Sequence, residues 1–293
     1  MISLSSITNR AAFLALSSVL LLAAINLSTL AQHVAILTPN GTALDDSVAA
    51  NTRTALSASF RTQDLAMSAT ALEASGKRSN AFNLTTDEAR DLAAVLGCDF
   101  FIVIRTGTLR RASIEQADHS ESFAAFFVVS GRTGRLLKWR LVSEIGLDAA
   151  GSEQRLMRSL APTDFVEPIT AAWKTELLEQ ASSGFEPMPE VGTPESKDFR
   201  APVPYRRLKP EYTRTAYLYE VTATVEATVD LDENGVVKNV AITRWAGYGL
   251  DESVIKTIGS MNWRPAERNG KTSPARYLLR YNFRKIEKDN DNE

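Results

Sequence analysis

Between Tyr219 and Leu231 the chain alternates without a break. Tyr219, Val221, Ala223, Val225, Ala227, Val229 and Leu231 fall on one side and Glu220, Thr222, Thr224, Glu226, Thr228 and Asp230 on the other. Successive side chains of a strand point to opposite faces, so this period of two predicts a strand with one buried and one wet face. Asp232-Glu233-Asn234-Gly235 supplies a hairpin turn, and Val236 to Trp245 returns as a second strand with Val240 and Ile242 facing the core. After the Gly247-Tyr248-Gly249 loop, Leu250, Val254, Ile258 and Met261 share one helical stripe, with Asp251 and Glu252 in the first turn where the helix dipole favours anions. Trp263-Arg264-Pro265 ends that helix, because proline holds the residue before it extended, and Asn269-Gly270 makes a further turn. Ala275 to Lys285 alternates again, with Tyr277, Leu279, Tyr281 and Phe283 against Arg276, Arg280, Asn282 and Arg284. The expected order is strand, strand, helix, strand.

A chain of 293 residues exceeds one typical domain, so a second unit is expected upstream. Residues 32–181 read as an α/β domain: a strand at His33–Thr38, a helical pattern from Leu44 to Phe60, and a capped helix from Thr86 to Leu96 that stops at Gly97. Phe100 opens a run that is apolar on successive positions, which predicts a central strand covered on both faces. Ser122–Ser130 and Arg135–Glu144 predict a hairpin around Gly131-Arg132-Thr133-Gly134, and Glu153–Leu160 with Phe165–Leu178 predict closing helices interrupted at Pro162. Residues 182–205 carry Pro187, Pro189, Pro194, Pro202 and Pro204 and are expected to be an extended linker separating the two domains.

In the first 31 residues Arg10 precedes an apolar stretch, Ala11 to Ile25, and then the small residues around Ser28 and Ala31. That order is a secretory signal, with an uncleaved membrane anchor as the alternative reading. A net charge of -2 argues against general nucleic-acid binding, which needs a basic field. Cys98 is the only cysteine, which excludes an intramolecular disulfide; its apolar surroundings predict a buried structural thiol. Two histidines, His33 and His119, stand apart from any nucleophile pattern, so no catalytic residues, no cofactor and no metal site are expected, and the chain reads as a binding module instead of an enzyme.

The phrases Leu96-Gly97-Cys98-Asp99-Phe100-Phe101 and Ser130-Gly131-Arg132-Thr133-Gly134 make the first domain similar to the α/β domains of the TolB N-terminal and CsgG-like envelope families. From Pro210-Glu211-Tyr212, through Val229-Asp230-Leu231-Asp232-Glu233-Asn234-Gly235 and Leu250-Asp251-Glu252, to Trp263-Arg264-Pro265-Ala266 and the closing aromatic strand, the chain resembles the TonB C-terminal domain. The expected fold class is thus α+β: a mixed α/β sandwich at 32–181, a Pro-rich linker, a TonB-like β-β-α-β domain at 206–286 and a disordered tail at 287–293. The resemblance implies a periplasmic protein that binds an extended segment of an outer-membrane receptor by strand addition, within energy-coupled transport. By that analogy the closing strand is the docking edge, with Arg276, Leu278, Arg280, Asn282 and Arg284 as the partner-binding residues and the arginines attracting acidic groups. The chain departs from the family where a globular domain replaces the long spacer and where no Ser/His motor-coupling motif is evident. The alternative reading is an envelope assembly protein whose first domain drives complex or homo-oligomer formation.

Overall fold

The computed structural model describes residues 32–112, 118–176, 185, 187–190 and 192–285. The expected signal or anchor (1–31), the tail (287–293) and the end of the last predicted helix of the first domain lie outside them.

The first domain is built on a five-stranded mixed sheet in the order β2-β1-β3-β4-β5. Its strands are β1 (His33–Leu37), β2 (Arg61–Thr62), β3 (Phe100–Arg111), β4 (His119–Ser130) and β5 (Leu136–Gly146). β3 is central as expected, parallel to β1 and antiparallel to β4. Its helices are α1 (Ala43–Leu56), α2 (Leu65–Ala74), α3 (Thr86–Leu96), α4 (Ala149–Ser159) and α5 (Val166–Glu176). The start of α3 carries a capping box: Thr85 Oγ1 accepts from the Glu88 amide at 3.0 Å, and the Glu88 carboxylate accepts from the Thr85 amide at 2.8 Å. Gly97 ends the helix in the left-handed conformation at φ +65°. His119, expected in a loop, opens β4 opposite Arg111.

Alternation divides this sheet into two apolar faces. Val34, Ile36, Phe100, Ile102, Phe126 and Val128 pack on one side against α1, α4 and α5. On the other, Phe101, Val103, Phe123, Phe127 and Val129 share a core with α2, α3 and the C-terminal domain. Gly107 leaves room for the Phe123 ring, since a Cβ there lies 2.8 Å from Phe123 Cε1.

The second domain starts earlier than its composition implies. β6 (Phe199–Arg200) and β7 (Val203–Pro204), expected within the linker, pair with strands near the chain end, and α6 (Arg214–Leu218) follows. The described end of that stretch is therefore docked onto the second domain, and the two domains share one core. β8 (Ala223–Leu231) begins four residues later than the alternation predicts, because Glu220 takes φ +51° and turns the chain. Tyr219 and Val221 are buried all the same. β9 (Val237–Arg244) and α7 (Leu250–Gly259) come next, then β10 (Trp263–Arg264), β11 (Ala266–Arg268), β12 (Lys271–Ser273) and β13 (Ala275–Phe283). The main sheet runs β13-β8-β9, and Leu250, Val254 and Ile258 of α7 bury against Val225, Ala227 and Val229 of β8.

Trp245, Ala246 and Tyr248, between β9 and α7, are buried in the same cluster as Phe127. The Trp245 and Tyr248 rings lie 5.6 Å and 6.0 Å from that of Phe127, and Trp139 lies 4.8 Å from Tyr248. An expected loop is thus the joint between the domains. The α+β class and its two units stand as expected; the joint between them is the addition.

Candidate strand-docking site

β13 pairs with β8 over its whole length, from Ala275 opposite Leu231 to Phe283 opposite Ala223. In an antiparallel pair, residues alternate between turning their backbone N–H and C=O toward the neighbour and turning them away. The Arg207 guanidinium donates to the Arg280 carbonyl at 3.1 Å, and Pro187 forms a parallel bridge to Arg276. Both contacts are on the side away from β8, so Arg276, Leu278, Arg280 and Asn282 turn their backbone groups outward. Among the described residues those two contacts are the ones that reach the outer edge of β13, and none reaches the backbone of Leu278 or Asn282. Leu278 is 48% exposed. Arg284 lies just past the strand, exposed.

The arginine row is not the free cationic face expected from the alternation. Arg276 clamps Asp230 with two bonds, Nε to Oδ1 at 2.6 Å and Nη2 to Oδ2 at 2.9 Å. Arg280 Nε donates to Glu226 Oε1 at 2.8 Å, and Thr224 donates to Asn282 at 2.9 Å. Asp230 and Glu226 sit directly across the ladder from these arginines and are themselves buried, so the face of β8 expected to be wet is roofed by arginine side chains. Burial works against the Asp230 charge, but hydrogen bonds from Arg276 and Asn239 outweigh it and hold the carboxyl below its ordinary range. The alternation identified the arginines; their partners were readable only by laying Asp230 and Glu226 opposite Arg276 and Arg280.

Behind the site, polar contacts lock the β13-β8-β9 sheet to the first domain. Asn83 donates to the carbonyls of Thr224 at 2.8 Å and Trp245 at 2.7 Å, and accepts from the Thr224 amide at 3.0 Å. The Trp245 indole donates to the Gly134 carbonyl at 3.3 Å. Tyr219 donates to Glu121 at 2.6 Å, and Arg111 Nε donates to the other oxygen of that carboxylate at 2.7 Å. Desolvation opposes the Glu121 charge, yet hydrogen bonds from Tyr219, Arg111 and Ser143 bring its carboxyl down; desolvation and the same carboxylate push the Tyr219 phenol up to about 12. Asp251, in the first turn of α7, accepts from the Ala246 and Gly247 amides at 2.9 Å and 2.8 Å. Its burial is the dominant influence and raises it to about 7 against those two bonds. Cys98 lies partly buried beside Asp99, with desolvation pushing its thiol up to about 12, which leaves it protonated and inert.

The sequence profile of the family described as Gram-negative bacterial TonB protein C-terminal matches residues 209–284. Those residues are a TonB C-terminal domain. The match spans β8, β9, α7 and β13 and leaves the α/β domain outside it. A search of curated proteins gave no match. Among solved structures, lipoprotein GNA1162 from Neisseria meningitidis is similar at 14% identity, with 51% of this chain and 99% of that chain covered and a TM-score of 0.31. The hypothetical protein CT253 from Chlamydia trachomatis is similar at 10% identity, covering 48% of this chain and 99% of that one, with a TM-score of 0.32. A PelC dodecamer from Paraburkholderia phytofirmans is similar at 12% identity, covering 47% and 86%, with a TM-score of 0.26. Likenesses this distant carry nothing about what the TonB-like chain does. Among the described residues no helix is long and apolar enough to cross a membrane, and no group of three or more His, Cys, Asp or Glu is placed to hold a metal.

Proposed function

We propose that this is a periplasmic binding module, not an enzyme, that takes an extended segment of an envelope partner, such as an outer-membrane receptor, as an added strand on β13. The observation that carries this reading is the outer edge of β13, where the outward backbone groups of Leu278 and Asn282 have no partner among the described residues. A sheet edge in this condition binds an extended peptide through main-chain hydrogen bonds, with alternate side chains supplying specificity. Because Arg276 and Arg280 are already neutralised by Asp230 and Glu226, the attraction comes from the ladder more than from charge. A guest strand displaces the Arg207 contact at Arg280 and the bridge at Pro187 as it seats.

Leu278→Pro tests this. Proline removes a donor that points away from β8, which an edge strand tolerates, and leaves the β8–β13 ladder intact. A photo-crosslinking residue at Asn282 in intact cells is expected to yield adducts with an outer-membrane protein, and Leu278→Pro is expected to abolish them. Adducts that survive this substitution, or none from the parent chain, overturn the reading. Mass analysis of the mature N-terminus separates a free periplasmic protein, beginning at Gln32, from one held by its first segment.

A further inference from the structure

The sheet of the TonB domain has a second outer strand, β9, and the five-stranded sheet ends on β5. A groove of about 580 Å³ runs between them, bordered by residues 135–139 on one side and 239–242 on the other, with Ile255 of α7 beneath. When a sheet presents its face to a groove, every second residue lines it. Here consecutive residues line both sides, so two strand edges look into the same space.

The outward alternation of β13 carries across β8 to β9. Even-numbered residues of β8 turn their backbone groups toward β9, and Asn239 and Ala241, opposite Asp230 and Thr228, answer them. The Thr228 hydroxyl donates to the Ala241 carbonyl at 3.4 Å, in keeping with that direction. Val240 and Ile242 therefore point their N–H and C=O groups away from β8 into the groove, and among the described residues no backbone hydrogen bond reaches them from another element. Their side chains, facing the core but only partly covered, form an apolar floor with Ile255 and Trp139. The groove is continuous with the joint between the domains, since Trp139, Trp245 and Asp251 belong to both.

We infer that this groove is a second strand-accepting site, distinct from β13, whose occupant is an extended peptide with apolar side chains at alternate positions. The guest backbone pairs with Val240 and Ile242, and one row of its side chains covers the floor. Seated there it extends the β13-β8-β9 sheet by a fourth strand and lies alongside β5.

The probe is a short fluorescent peptide of alternating valine and threonine, with a version N-methylated at alternate residues as control, titrated onto the exported chain by anisotropy. Saturable binding is expected for the first peptide and none for the second. Val240→Pro removes an outward donor and keeps the β8–β9 ladder; it is expected to weaken binding about tenfold, the equivalent of one net hydrogen bond. Ile255→Lys, on the exposed side of α7, places a charge on the floor without touching a strand and is expected to weaken binding at least as much. Leu278→Pro on β13 is expected to change nothing, which separates this site from the function proposed above. The inference is overturned if the peptide fails to bind, if binding survives both Val240→Pro and Ile255→Lys, or if Leu278→Pro alone abolishes it. A dimer in sedimentation that Val240→Pro dissolves without peptide also overturns it, by assigning the groove to a second copy of the chain.

Discussion

At Gly247 the backbone has φ +69°, and a Cβ there lies 2.5 Å from Trp139 Cδ1 and 2.8 Å from Phe127 Cε1. Gly247→Ala therefore meets two penalties, a left-handed conformation and a clash with two rings. Together they are expected to cost about 2–4 kcal/mol in urea unfolding. Gly270→Ala has a similar φ of +74° but nothing within 4 Å, so only the conformational penalty of about 1 kcal/mol is expected. Equal losses for the two substitutions count against a tight joint between the domains. Asp251 adds a pH dependence. Burial lifts its carboxyl from an ordinary 3.8 to about 7, so the folded protein holds that proton more tightly than the unfolded chain. The resulting stability is full below pH 3.8 and is lost as pH rises toward about 7. Glu121 and Asp230 are shifted the other way, and their contributions are lost only in acid. Between about pH 5 and pH 8 the parent protein is thus expected to lose stability on the order of a few kcal/mol that Asp251→Asn does not lose. A parent stability that stays flat over that window excludes the assignment.

Among the elements, β8 and β13 show how much of the fold a sequence carries. Both alternations, the turn at Asp232–Gly235 and the helical stripe of α7 are local patterns, and each fixes an element with its buried face. What the strands do to one another is not local. The buried carboxylate of Asp230 depends on a cation 46 residues away, and a period of two says nothing about register. Arg276→Leu is expected to destabilise the protein by about 3 kcal/mol, because it leaves a buried carboxylate unpaired. The double variant Arg276→Leu/Asp230→Val is expected to recover most of that loss, since two apolar side chains then meet across the ladder. Urea midpoints for the four proteins of this cycle decide it, and a double variant worse than Arg276→Leu refutes the account. The start of β8 lies later than the alternation for a related reason: Tyr219 is buried against Phe123 of the first domain and Val221 lies in the shared core, so their periodicity reflects a tertiary surface beyond the end of the strand.

Taken as one molecule, the chain has apolar residues in surplus over the helices that cover its first sheet. β4 is buried at every position from Phe123 to Ser130, while α2 and α3 shield only part of the face toward Phe127. The sequence announced two covered faces for the neighbouring run at Phe100 and only a hairpin arm for β4, and it could not name the cover, which is the Trp245–Tyr248 segment more than a hundred residues on. Because the core passes from one domain into the other, a single calorimetric transition is expected for the parent chain. Trp245→Ala, which removes the largest fully buried side chain at the joint, is expected to cost about 3–5 kcal/mol and to split the transition in two. Two transitions in the parent already refute a shared core.

The Asn83 hydrogen bonds and the packed rings around Phe127, more than the Pro-rich stretch, leave the second domain little slack against the first. If a captured partner is pulled, the load reaches the α/β body through a stiff joint, not a leash, and the distance from partner to body is set when the chain folds.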